Sequence, residues 1–131
     1  MTTSFTTVKH YLSDLQYAID YENKEDGVLV VSYEANGISK LVLGCADPIL
    51  IMEQFICEIK QESAEVYQLL LQKNRDIIHG AFVLDQTGRR LIFRNTLELE
   101  NLDINELEAT FNSLGLLLSE FSEQIIRISR Y

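Results

Sequence analysis

The sequence predicts an α+β fold: a first helix, three strands, a second helix, a two-stranded hairpin and a long last helix, with the strands in a five-stranded antiparallel sheet packed by the helices. Three observations carry this. Apolar residues recur at spacings of three and four near both ends of the chain, the mark of amphipathic helices. Between those ends lie β-branched runs flanking two turn signals, Asn36-Gly37 and Asp85-Gln86-Thr87-Gly88. The chain is 131 residues long and 47% hydrophobic, with six Gly and one Pro, which suits a single domain over 1–131 with no flexible linker.

The first helix is expected over residues 4–21, with Ser4 as N-cap and a stripe of Phe5, Val8, Leu12, Leu15 and Ile19. The polar run from Glu22 to Gly27 ends it. Val28–Tyr33 and Ile38–Gly44 then read as a hairpin, because Asn-Gly suits a two-residue turn in which both central residues take positive φ. That turn would set Val31 opposite Val42 and Val30 opposite Leu43, with Leu29, Val31, Tyr33 and Val42 on one face. Val28, Val30, Leu41, Leu43 and Cys45 would fill the other. Both faces are largely apolar, so each needs at least partial cover.

Residues 47–60 fit two patterns. Asp47-Pro48 suits a helix start, but Ile-Leu-Ile-Met followed by Phe-Ile-Cys-Glu-Ile suits a strand with a break near Glu53-Gln54, and the strand is preferred. A short helix follows over Ser63–Asn74, with Val66, Leu69 and Leu70 inward. Ala81–Leu84 and Leu91–Phe93, prolonged toward Leu99, form the second hairpin. The last helix is the most strongly written. Asp103 at the N-cap and Glu106 at N3 form a capping box, Leu102 and Leu107 a hydrophobic staple. A seam from Ile104 to Ile128 then keeps the three–four alternation throughout.

Charge narrows the function. Twenty acids against 11 bases give −9, which argues against nucleic-acid binding and against an anionic membrane surface. Seven acids and no base lie between Asn95 and Ile126, and part of that pattern is helix-dipole chemistry. No apolar run approaches the roughly 18 residues of a membrane span, and the first residues lack the layout of a signal peptide. With two unpaired thiols, Cys45 and Cys57, a cytoplasmic protein is expected.

Motifs for catalysis are absent: no nucleophile elbow, no phosphate loop, no dinucleotide fingerprint. His10, His79, Cys45 and Cys57 lack metal-ligand spacing, so no catalytic residue, cofactor or metal is expected. Glu53, an acid within an apolar stretch, reads as the mark of a bulge or a solvent-facing edge. Arg75, Arg90 and Arg94 are candidate contacts for an anion or a partner, Arg90 and Arg94 sharing one strand face. Leu29, Val31, Tyr33, Val42 and Phe55 are candidates for an apolar partner or dimer surface.

The second half carries a recognisable order: Leu70-Leu71-x-x-Asn74, Gly80-Ala81-Phe82-x-Leu84-Asp85, Gly88-Arg89-x-Leu91, then Arg94-x-Thr96-Leu97-x-Leu99-x-x-Leu102 before a long amphipathic helix. It resembles the YbjN-like proteins, which share the fold of type III secretion chaperones (the Tir-chaperone-like group). The resemblance implies α-β-β-β-α-β-β-α, a homodimer, and a noncatalytic chaperone-like or regulatory role on a protein partner. It supplies no catalytic residues. Two alternatives stand beside it: a sensor of a small anionic ligand using the arginines, and a structural subunit of a larger assembly.

Overall fold

The computed structural model describes residues 2–130, with side chains from Ser4 to Arg130. In chain order, among the described residues, the elements are α1 (Thr2–Asp14), β1 (Ala18–Asn23), β2 (Val28–Tyr33), a 3-10 turn (Glu34–Asn36), β3 (Ile38–Ala46), β4 (Ile49–Glu58), α2 (Ala64–Asn74), β5 (Ala81–Leu84), β6 (Arg90–Glu98), α3 (Ile104–Glu120) and α4 (Ser122–Arg130). The strands form one antiparallel sheet of six, in the order β1-β2-β3-β4-β6-β5.

The sixth strand comes from residues expected to be helical. α1 stops at Asp14 in a Schellman turn: Tyr17 N–H donates to Leu12 O and Gln16 N–H to Ser13 O. Gln16 occupies the left-handed position at φ 67°. The chain then extends as β1, whose Ile19 had passed for a continuation of the helical stripe.

The Asn36-Gly37 turn is present but longer than two residues. Glu34–Asn36 form a 3-10 turn and Gly37 follows in the left-handed region at φ 70°. With a register shift between Val31 and Tyr33, the pairs become Val31 with Leu41 and Val30 with Val42. This is one residue from the expected register, and in a strand one residue exchanges the two faces. Leu29, Val31, Leu41 and Leu43 therefore point together into the core, each 0% exposed, while Val30 and Val42 share the opposite face. Leu29 and Val31, expected at a surface, are core residues.

The core lies between one sheet face and the helices. Leu50, Met52, Leu91, Phe93 and Phe82 of the sheet meet Phe5, Val8 and Leu12 of α1, Leu107, Phe111 and Leu114 of α3, Ile128 of α4 and Leu70 of α2. β4 runs without the expected break; its irregularity falls between Phe55 and Cys57. As a central strand it is no edge: Gln54 turns inward and accepts from Ser39 N–H, and Glu53 faces the other way. Leu69 is exposed rather than inward.

The expected cap at Asp103 forms, as does one at Ser63; Ser4 instead lies inside α1, and its hydroxyl donates to Asp47 Oδ1. Ser63 Oγ accepts from Val66 N–H at 3.3 Å, and Asp103 Oδ1 from Glu106 N–H at 2.8 Å. The last helix, however, is two. It breaks at Phe121 (φ −101°, ψ 9°), where the ring meets Phe82 with centroids 5.3 Å apart. α4 turns onto the sheet, and Ile128 O accepts from Lys60 N–H. Gly115 lets α3 approach the 3-10 turn: a Cβ there would sit 2.9 Å from Asn36 Cβ.

Candidate functional site

Alternation along the strands leaves one sheet face without a helix among the described residues. Its central row crosses the whole sheet in register: Tyr21, Val30, Val42, Glu53, Arg94 and Ala81. Flanking rows add Val28 and Ile51 on one side and Phe55, Ile92 and Val83 on the other. Val42 is 41% and Phe55 46% exposed, with Tyr21 and Ile49 comparably open. Scattered exposed apolar side chains are ordinary, whereas a contiguous band marks an interaction surface.

The basic side chains of this face are paired, and Glu98, opposite Ile49 at its margin, adds an exposed carboxylate. Arg94 donates to Glu53 at 2.5 Å across β4 and β6. The Arg90 guanidinium lies 4.1 Å from the Phe55 ring centroid and 3.8 Å from the Asp85 carboxylate. Lys40 pairs with Asp20 at 3.6 Å. An apolar band with paired charges suits docking of another apolar surface, in which the ion pairs fix orientation more than they add affinity.

The sequence candidates therefore separate. Val42 and Phe55 lie on the open face, as do Arg90 and Arg94. Tyr33 stacks on Tyr17 with centroids 4.7 Å apart, and Leu29 and Val31 are buried. Arg75 ends α2, on the helical side of the sheet, so the three arginines do not converge. Glu53 marks neither a bulge nor an edge but is the partner of Arg94. Tyr21, Ile49, Ile51 and Ile92 of the open face were missed, because their grouping depends on cross-strand register. A second apolar surface follows α2 and β5, where Leu71, Ile78 and Leu84 are exposed beside a groove of about 300 Å³.

Among the described residues, a few titratable groups are shifted. Burial pushes the thiols of Cys45 and Cys57 up, which keeps them protonated and poorly nucleophilic at neutral pH. Burial likewise pushes the Tyr17 phenol up to about 12. Asp85 is held low by the Thr87 hydroxyl, by backbone N–H donors of Arg90 and Thr87, and by the Arg90 charge. Among the described residues no group of three His, Cys, Asp or Glu is placed to hold a metal. None of the described helices is long and apolar enough to cross a membrane.

The CesT_Tir_1 family model matches residues 1–131. The chain belongs to the CesT_Tir_1 family. A relative from Mycobacterium leprae, the uncharacterised protein ML2442, is 26% identical over 121 residues; the match covers 82% of this chain and 65% of the relative's length. Among solved structures, YbjN from E. coli superposes with a TM-score of 0.70 at 13% identity, covering 92% of each chain. The ExoU–SpcU complex from the type III secretion system of Pseudomonas aeruginosa gives 0.67 at 16% identity, covering 94% of this chain and 98% of that one. The HopA1–SchA chaperone–effector complex gives 0.66 at 12%, covering 90% and 91%. The YbjN-like and type III chaperone-like α+β fold expected from the sequence is the fold of this CesT_Tir_1 protein, with six strands in place of five.

Proposed function

We propose that this CesT_Tir_1 protein is a single noncatalytic protein-binding module, chaperone-like or regulatory, that acts as a homodimer on a protein partner inside the cytoplasm. The observation that carries the reading is the apolar sheet face that no described helix covers. Family membership supports it, as does the likeness to the HopA1–SchA chaperone–effector complex. Electrostatics favours the same face for self-association. On a chain of net −9, α3 exposes Glu106, Glu108 and Glu120 with no base. The open face instead pairs Lys40, Arg90 and Arg94 with acids of the same chain, which leaves its centre less charged than the α3 surface, so two copies repel less when they meet sheet to sheet. The exposed apolar surface along α2 and β5 then remains for the partner.

The test uses a chemically unfolded model polypeptide that aggregates on dilution. The reading predicts that the protein suppresses its light scattering at near-stoichiometric ratio, and that Leu71→Asp weakens this without altering the circular dichroism spectrum. No suppression at any ratio contradicts the partner-binding role.

A further inference from the structure

The motif Leu70-Leu71-x-x-Asn74 ends in a polar residue that neither the core nor the open face uses. β5 is the edge of the sheet, four residues long, and its sequence Ala-Phe-Val-Leu carries no charge. Exposed apolar edges of this kind are templates for pairing with another chain. The opposite edge is defended in a familiar way: β1 has an irregularity between Ile19 and Tyr21, and it carries Asp20 and Glu22. β5 has neither device.

The pairing of β5 with β6 fixes which main-chain groups face outward. Asp85 N–H donates to Arg90 O at 3.2 Å, and the register pairs Val83 with Ile92 and Ala81 with Arg94. Hydrogen-bonded pairs alternate in an antiparallel ladder, so the N–H and C=O of Phe82 and of Leu84 point away from β6. Asn74 meets both groups of Phe82. Its Oδ1 accepts from Phe82 N–H at 2.7 Å, and its Nδ2 donates to Phe82 O at 3.1 Å. A residue of a neighbouring strand would make this same pair of bonds. The helix that carries the carboxamide is held at two points: Leu70 is buried in the core, and Tyr67 Oη donates to Gly88 O of the hairpin turn at 3.2 Å.

We propose that the Asn74 carboxamide is a strand plug: by occupying the outward peptide groups of Phe82, it bars a second copy of this chain from adding to β5. The inference concerns the main-chain edge of β5, beside the apolar side chains of α2 and β5 that the protein-binding reading assigns to the partner; light scattering by the chain alone tests it without that partner.

The test compares the full chain with Asn74→Ala, Leu84→Pro and the double variant, by light scattering over a concentration series and by amide hydrogen exchange. Leu84→Pro removes an outward N–H without touching the β5–β6 ladder, so it blocks an incoming strand by other means. Asn74→Ala is expected to keep its circular dichroism spectrum, to raise exchange at the Phe82 amide by about tenfold, and to form assemblies that grow with concentration. The double variant is expected to return to the mass of the unsubstituted chain. Should Asn74→Ala fail to fold, Asn74→Leu, which keeps the bulk and removes both the acceptor and the donor, is read in the same way. A folded variant at position 74 with unchanged mass at every concentration overturns the proposal, as do assemblies that Leu84→Pro does not dissolve.

Discussion

Val42 and Leu43 are neighbours on β3, and the structure assigns them opposite fates. Leu43 is 0% exposed and packed with Leu29, Val31 and Leu41, whereas Val42 is 41% exposed on the open face. Truncating a fully buried leucine to alanine costs about 3 kcal/mol, the sum of lost transfer energy and a residual cavity. With an unfolding entropy near 2.1 cal/mol/K per residue over 131 residues, that cost lowers Tm by about 11 °C. Val42→Ala removes two methyl groups that are already partly in water, about 0.5 kcal/mol or about 2 °C. Thermal unfolding followed by circular dichroism reads both, at two protein concentrations so that any loss of self-association at Val42 appears as a concentration dependence. Equal losses at low concentration, or a larger loss for Val42, would refute the register and restore the two-residue turn.

Gly80 holds φ 96°, and a Cβ on it would lie 2.4 Å from Phe93 Cζ and 2.9 Å from Arg94 O; Gly80→Ala is expected to cost about 3 kcal/mol, seen as a Tm loss near 10 °C. Asp103→Ala removes the α3 cap and is expected to cost about 1 kcal/mol, or about 4 °C. Tyr17 supplies an alkaline prediction. Its phenol ionises near 10 when unfolded and near 12 when folded, so its contribution is constant below pH 10. As pH rises from 10 to 12 the unfolded state loses the proton first and stability falls, by up to about 2–3 kcal/mol. Denaturant titrations across that range should show a shallower fall for Tyr17→Phe, and identical slopes would contradict the burial of the phenol.

The sequence disclosed most where chemistry marks a boundary. Ser63 and Asp103 announce their helices because their side chains satisfy backbone N–H groups, and the structure shows those bonds. The two apolar runs over residues 49–58 favour a strand over a helix, and the segment is a strand. What stayed hidden was decided by tertiary context. Gln16 takes a left-handed conformation that Gly or Asn would have advertised, so α1 seemed to run into β1. Phe121 breaks the last helix with neither Gly nor Pro, because its ring meets Phe82 on the sheet. The candidate site suffered most from a small error. Asn36-Gly37 was read correctly as a turn, but the preceding 3-10 residues lengthened it, and the one-residue slip moved Val42 from the company of Leu29 and Val31 to that of Val30 and Glu53. The Glu53–Arg94 pair depends on two strands 41 residues apart in sequence, and no local pattern encodes it.

In the proposed function two copies meet through the open sheet face. Light scattering of the unsubstituted chain and of Val42→Asp, at matched micromolar concentrations, tests it most directly. The account predicts a mass of two chains for the former and of one chain for the latter, with the same circular dichroism spectrum. A single-chain mass for the unsubstituted protein, or a folded Val42→Asp that remains a dimer, would contradict it.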